Sequence, residues 1–279
     1  MSRVLFLAAQ PLATIEQPTV IIQGAPYDGG VSWRAGAAEA PRALREASDS
    51  IESWSPTLRR DLEDVALADT GDMTIGPLRA QAVMDRIAEA TERHARAGAV
   101  VVTIGGDHSI SMGTTRGLRA VHGEIAHVVF DAHLDMRDDY EGDPFSHACG
   151  TRRMATAGPT CALGIRSGSR EEFTDADKML VVLSGDVTIT DQVRAAIGDR
   201  PLFISVDCDV LDPSILPGTG TPEPAGTSYH DLRAALIDLC GTERVVGVDF
   251  CEVAPPIDAS GLSAVVAAEL IRETILALT

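Results

Sequence analysis

The amino-acid sequence predicts an α/β protein in which one parallel sheet is sandwiched between layers of helices. Short apolar runs alternate with amphipathic stretches along most of the chain, as in repeated strand–helix units. The longest runs are rich in valine and isoleucine and apolar almost throughout, which is typical of strands buried on both faces. No repeat, low-complexity tract or linker interrupts the pattern, so we expect a single domain over residues 1–279.

The strands and helices follow from these patterns in chain order. The apolar runs predict strands at Thr19–Gly24, Ala99–Ile104, Ile125–Phe130, Thr160–Leu163, Met179–Leu183, Leu202–Val206 and Arg244–Val248. The amphipathic stretches predict helices at Ala38–Ala47, Leu78–Ala97, Thr114–Val121, Gln192–Ile197, Tyr229–Leu239 and Leu262–Leu278. In the second of these helices, the positions from Val83 to His94 that share one face recur every three or four residues, and Gly98 follows as a stop signal.

The charge balance limits the classes of partner. The chain has 23 basic and 41 acidic residues, a formal charge of −18. Nucleic acids and anionic membranes attract basic patches, so we expect no nucleic acid and no membrane as partner. The acidic excess is compatible with a cationic substrate, although solubility alone also accounts for it.

Cysteine usage and the N-terminus indicate the cytoplasm. The 5 cysteines are odd in number and include no C-x-x-C pair, which is typical of a reduced protein without a disulfide framework or a zinc–thiolate site. The apolar run Val4–Ala9 is short for a signal peptide and much too short to span a membrane.

Polar residues crowd at the ends of four predicted strands. These segments are Gly105–His108, Asp131–Asp135, Asp207–Asp209 and Asp249–Glu252. In open parallel sheets, ligands bind outside the carboxyl ends of the strands. The four segments are therefore expected to converge on one site.

The side chains in these segments predict a metal centre with two ions. The candidate ligands are four aspartates and two histidines, namely His108, Asp131, His133, Asp135, Asp207 and Asp209. Four carboxylates that converge away from water stay ionised together only if cations lie among them. Mixed oxygen and nitrogen ligands suit Mn²⁺, and six groups suit a pair of ions better than one. The alternative, helix caps and turn residues, suits a single aspartate better than three motifs in one chain.

Three motifs carry a resemblance to a known family. Gly105–Ile110 (GGDHSI), Asp131–Asp135 (DAHLD) and Ser205–Pro213 (SVDCDVLDP) resemble the signature motifs of the ureohydrolases. This family contains arginases, agmatinases, guanidinobutyrases and formimidoylglutamases. The resemblance implies the arginase–deacetylase fold, a three-layer α/β/α sandwich with a mostly parallel sheet of about eight strands. It also implies a homo-oligomer, either a trimer or a hexamer.

The resemblance further implies two manganese ions per chain. One ion is then held by His108, Asp131, Asp135 and Asp207. The other is held by Asp131, His133, Asp207 and Asp209, so that two of the aspartates bridge the ions. The resemblance also implies three catalytic residues. Asp135 holds the attacking water and passes its proton toward the leaving amine, Glu252 receives the guanidinium, and His147 shuttles protons. Ala148 departs from the pattern, because agmatinases usually have glycine there.

Within the family, the sequence most resembles agmatinases. Gly164–Ser167, Gly218–Pro224 and Glu252–Asp258 are agmatinase-like, although Ala225 replaces a usual glycine. Arginases grip the amino-acid end of arginine with an asparagine-containing loop, and this chain has no asparagine in the loop Met136–Ser146 or elsewhere. The expected reaction is hydrolysis of a small cationic guanidino compound, agmatine, to urea and putrescine, a step of polyamine biosynthesis.

Several alternatives stay open at this point. Guanidinobutyrate could replace agmatine if Arg137, Arg152 or Arg153 binds its carboxylate, although each could instead pair with an acidic residue of the loop. The acidic residues of that loop, Asp138, Asp139, Glu141 and Asp143, are expected to attract a distal ammonium. A metal-binding family member without hydrolase activity is a more remote alternative. A metallophosphoesterase is disfavoured because its pattern needs asparagine.

Overall fold

Nine parallel strands form one sheet in the computed structural model, which describes residues 4–76 and 78–279. The described residues contain eleven strands, counting two that lie outside this sheet. They are β1 (Gln10–Pro11), β2 (Val20–Ala25), β3 (Trp54–Ser55), β4 (Arg60–Asp61), β5 (Leu67–Asp72), β6 (Val100–Gly105), β7 (Ala126–Phe130), β8 (Thr160–Leu163), β9 (Val182–Ser184), β10 (Leu202–Asp207) and β11 (Val245–Cys251). The sheet order is β1-β5-β2-β6-β11-β10-β7-β8-β9, while β3 and β4 form a separate antiparallel pair.

Helices cover both faces of the sheet. They are α1 (Ala40–Ser48), α2 (Ala80–Arg96), α3 (Ile110–His122), α4 (Gly150–Ala157), α5 (Arg170–Lys178), α6 (Asp191–Ile197), α7 (Tyr229–Thr242) and α8 (Leu262–Leu278). Successive residues of β10 show the two layers: Leu202 and Ile204 belong to the apolar cluster that includes α1, α6, α7 and α8, whereas Phe203 packs in the cluster that includes α3 and α4. The sheet is therefore buried on both faces, and the predicted three-layer α/β/α sandwich is confirmed.

The predicted elements are all present, with shifts at their ends. The strand expected at Met179–Leu183 lies at Val182–Ser184, because the chain turns at Met179 and Leu180 after α5 ends, and Leu180 has a φ of 56°. The helix expected at Thr114–Val121 starts at Ile110, one turn earlier. The sheet has nine strands rather than about eight. Residues 1–3 of the expected domain lie outside the described residues.

The sequence did not indicate strand β5 or helices α4 and α5, because their residues are largely polar. Strand β5 (LADTGD) has two aspartates and a glycine, yet it pairs in parallel with both β1 and β2, one strand in from the edge of the sheet. Its Asp69 is buried against the equally buried Arg45 of α1, at 2.8 Å. Helices α4 and α5 are short and mostly polar, so they lack a clear apolar period. Tertiary contacts, rather than local pattern, fix these segments.

The order of the central strands brings the four polar segments together. Strands β6, β11, β10 and β7 are neighbours, and their register places Ile104 opposite Phe250, Asp207 opposite Cys251 and Val206 opposite Phe130. Their carboxyl ends therefore lie side by side at the middle of one sheet edge. Within the described ranges, no helix is both long and apolar enough to cross a membrane.

Candidate active site

A buried histidine lies at the centre of the first group of candidate ligands. His108 Nδ1 lies 3.0 Å from Asp131 Oδ2, 3.1 Å from Asp135 Oδ2 and 3.4 Å from Asp207 Oδ2. On the other side of the ring, Nε2 lies 3.0 Å from Ser205 Oγ, which donates to Asp249 at 2.7 Å. This pairing fixes the ring so that Nδ1 faces the carboxylates.

The second group lies beside the first and shares a carboxylate with it. His133 Nδ1 lies 2.9 Å from Asp209 Oδ2 and 3.7 Å from Asp131 Oδ1. Asp131 thus contributes to two sets of converging ligand atoms, one with His108 and Asp135 and one with His133 and Asp209. All six candidate ligands therefore lie at one sheet edge. That they bind metal stays a prediction.

Burial disfavours the negative charges of this cluster. All four aspartates are buried. Burial and the neighbouring Asp135 and Asp209 raise the pKa of Asp131 to about 8, and burial also raises the pKa of Asp207 well above its usual value. Burial opposes a protonated His133, but the bond to Asp209 outweighs it and raises the pKa of that imidazole to about 10. Without cations, the cluster must therefore take up protons.

One oxygen in the cluster is left without a hydrogen bond. The single Nδ1 proton of His108 serves Asp135, so Asp131 Oδ2 is buried without a hydrogen-bond partner despite its short contact to that nitrogen. A buried polar atom of this kind is costly unless something binds it. A divalent cation with oxygen and nitrogen ligands would satisfy this atom and neutralise its neighbours, so the donor set fits the expected metal.

Cys251 is a cluster neighbour that the sequence did not indicate. Its sulfur lies among candidate ligand atoms of His108 and Asp207. Burial and the surrounding carboxylates raise the pKa of this thiol well above its usual value, and it donates to the Val206 carbonyl at 3.5 Å. Cys251 is therefore a neutral thiol in the metal-free cluster, and the six predicted ligands do not include it.

The predicted catalytic pair, His147 and Glu252, is in direct contact. Glu252 Oε1 accepts from the His108 backbone N–H at 2.8 Å and lies 2.9 Å from His147 Nδ1. Burial disfavours a charged imidazole, but Glu252 outweighs it and raises the pKa of His147 to about 9. Both Asp135 (φ 49°) and Glu252 (φ 62°) adopt the left-handed backbone that non-glycine residues rarely occupy. Such strain is common at functional sites.

Three residues that support this site were not singled out in the sequence. Ser32 contacts His147 Nε2 through its hydroxyl at 2.9 Å and its N–H at 3.1 Å. Asp107 accepts from the Gly30 N–H at 2.7 Å and thereby fixes the segment that carries Ser32. Arg166 donates to the carbonyl of Asp209 at 2.8 Å and to several others around it. Asp107 and Arg166 had a signal, because they belong to the GGDHSI motif and to the agmatinase-like segment Gly164–Ser167, whereas Ser32 lies in no motif.

A cavity of about 360 Å³ opens beside the cluster. Its lining includes three candidate ligand aspartates and also Arg137, Tyr140 and Glu172. None of the four acidic residues of the loop lines this cavity, so the structure shows no contact between them and the space for a substrate tail. Arg152 and Arg153 do not line it either, since both pair with Asp138, at 3.1 and 3.3 Å. Of the three arginines considered for the substrate tail, the structure therefore keeps Arg137.

The two departures from the family pattern differ in their structural cost. Ala225 has a φ of 60°, in the region that favours glycine, so its methyl group imposes strain. Ala148 has no positive φ and lines the cavity. The alanine beside His147 is therefore compatible with the loop.

Comparisons with known proteins identify the family. The sequence model of the arginase family matches residues 18–277. The chain belongs to this family. It is 35% identical over 277 residues to the agmatinase of Bacillus subtilis, covering 97% of this chain and 95% of that protein. It is 34% identical to the human mitochondrial guanidino acid hydrolase, covering 91% of this chain and 77% of that protein.

A solved structure agrees with this assignment. The agmatine ureohydrolase of Thermoplasma volcanium superposes with a TM-score of 0.89 at 31% identity, covering 100% of this chain and 94% of that one. Membership of the arginase family confirms the ureohydrolase interpretation of the three motifs and the arginase-type fold. The chain is accordingly an enzyme of the ureohydrolase class.

We expect metal binding by this cluster to release protons. Asp131 and His133, with pKa values of about 8 and about 10, carry protons at pH 7 that a cation must displace. Mn²⁺ affinity of the metal-free protein should therefore rise between pH 6 and pH 8. Calorimetric titration in two buffers of different ionisation enthalpy measures the number of protons released. An Asp138→Asn variant, altered at an exposed aspartate, is the control. A proton count of zero would contradict the electrostatic interpretation.

Proposed function

We propose that this enzyme hydrolyses agmatine to urea and putrescine. The observation that carries the proposal is the contact of Glu252 and His147 beside two groups of converging metal-ligand atoms, next to one cavity. The agmatinases among the relatives support agmatine as the substrate.

The metal is proposed to be a pair of Mn²⁺ ions held by the six candidate ligands His108, Asp131, His133, Asp135, Asp207 and Asp209. Carboxylate and imidazole ligands suit this ion, and no thiolate is needed. Such a pair, when bound, lowers the pKa of water so that hydrolysis can proceed near neutral pH.

The chain's own residues orient the substrate. A carboxylate can bind a guanidinium by two parallel hydrogen bonds, and Glu252 Oε1 already accepts from His108 and contacts His147. A substrate that binds to both carboxylate oxygens of Glu252 therefore has to displace His147 Nδ1 from Oε1. The other ring nitrogen, Nε2, keeps its contact with Ser32. The displaced imidazole is free to carry a proton to the departing amine, while Asp135 orients the attacking water.

Guanidinobutyrate is the second candidate substrate. Arg137 lines the cavity and could pair with its carboxylate. The relationship to the human guanidino acid hydrolase also favours this possibility. Both candidates share the guanidinium and differ only in the charge at the far end.

The proposal is tested by urea release with Mn²⁺ from agmatine, arginine, guanidinobutyrate and guanidinopropionate at equal concentration. We expect agmatine to be hydrolysed best and arginine worst, because burying an unpaired carboxylate is costly and the chain lacks the asparagine that grips it in arginases. A preference for guanidinobutyrate would move the assignment to guanidinobutyrase. Release of no urea from any compound would favour an inactive metal-binding protein.

We expect Glu252→Gln to retain bound metal and lose most of kcat/KM. Loss of one partner from a buried charged pair costs about 2–5 kcal/mol, which is roughly thirtyfold or more in kcat/KM. Urea kinetics and elemental analysis of the same preparation separate the two effects, with Glu89→Gln on the exposed side of α2 as the control. Loss of metal from the Glu252 variant would show that this residue serves the metal centre instead.

Three further features of the protein are proposed on the resemblance and the composition. These are a homo-oligomer of three or six chains, a cytoplasmic location, and a single domain that spans residues 1–279.

A further inference from the structure

The charged lining of the cavity separates into two groups. Asp135, Asp207 and Asp209 belong to the metal-ligand cluster. Among the described residues that line the cavity, the remaining acidic residue is Glu172 and the single arginine is Arg137. These two side chains are therefore the acidic and arginine groups of the lining that lie outside the metal-ligand cluster.

Glu172 is a buried carboxylate in a fixed position. Only 5% of the residue is exposed. Its Oε1 accepts from the Met136 N–H at 3.1 Å, and its Oε2 accepts from the Ser169 N–H at 2.8 Å at the start of α5. Because Met136 directly follows Asp135, a single peptide link separates this carboxylate from the metal-ligand cluster. The distance to the cluster is thus set by the backbone.

The guanidinium of Arg137 is held only loosely by the surrounding side chains. Its Nη2 lies 3.4 Å from Glu172 Oε2, beyond the usual length of a charged hydrogen bond, and 41% of the side chain is exposed. The guanidinium also lies 5.6 Å from the ring centre of Tyr140. Because the guanidinium is partly exposed and lies beyond hydrogen-bonding distance, its pairing with the buried carboxylate contributes little, and another cation can replace it at low cost.

We propose that Glu172 binds the distal ammonium of the substrate, and that Arg137 occupies this carboxylate until the substrate displaces it. This assignment rests on the proposed function and gives it a specificity determinant: Glu172 favours guanidines with a cationic tail. Arg137 opposes that preference and favours an anionic tail. The acidic loop has no such part, because its four acidic residues lie outside the cavity lining.

The test compares three guanidines with a similar carbon chain and different tail charges. These are agmatine (cationic), N-butylguanidine (neutral) and 4-guanidinobutyrate (anionic), each assayed by urea release from the Mn²⁺-loaded enzyme. Glu172→Gln should lower the ratio of kcat/KM for agmatine to that for butylguanidine by about tenfold. Arg137→Met should raise this ratio. It should also lower the ratio of kcat/KM for guanidinobutyrate to that for butylguanidine. The neutral compound corrects for any general damage to the site.

Two exposed residues of α5 provide matched controls, and the outcomes are distinguishable. Glu171→Gln and Arg170→Met should leave all three ratios unchanged, because neither residue lines the cavity. If urea is released but the ratios stay constant in both the Glu172 and Arg137 variants, this proposal is overturned and the proposed function stands. If the wild-type enzyme releases urea from none of the three compounds, the proposed function fails and this proposal fails with it.

Discussion

Repulsion among four buried aspartates is the constraint on which the rest of the site depends. Asp131, Asp135, Asp207 and Asp209 converge where the central strands end, and burial together with neighbouring carboxylates raises the pKa of Asp131 and of Asp207. Two imidazoles cannot offset four carboxylates. The arrangement is therefore one that favours cations strongly, and the parallel sheet makes it possible because neighbouring strands deliver their carboxyl ends to the same edge.

The loops around this cluster contain strained backbone, and contacts with the surrounding structure hold them in place. Asp135 and Glu252 adopt left-handed backbone conformations, so the surrounding structure has to maintain them. Arg166 stabilises the segment of Asp209 through backbone carbonyls, and Asp107 fixes the segment of Ser32. The site is thus built from rigid strand ends and braced turns, which keeps the side chains in position for substrate binding.

The sequence predicted the fold class and the convergence of the site, because both depend on strong local patterns. Apolar strands and the motifs after them are visible without coordinates. Strand β5 was not visible, since a buried ion pair between Arg45 and Asp69 compensates for its polar residues. The acidic loop looked suitable for a cationic tail, yet its Asp138 is taken by Arg152 and Arg153. Contacts between distant segments, such as Ser32 with His147, have no local signature.

The most direct test of this account is the number of metal ions that the cluster binds. The metal-free protein is loaded with Mn²⁺, freed of excess ion, and analysed for metal per chain. The account predicts two ions per chain, and it predicts that Asp131→Asn, which alters the carboxylate shared by both groups of ligand atoms, lowers that number. A wild-type protein that binds no Mn²⁺ would contradict the account, as would an Asp131 variant that keeps the full complement.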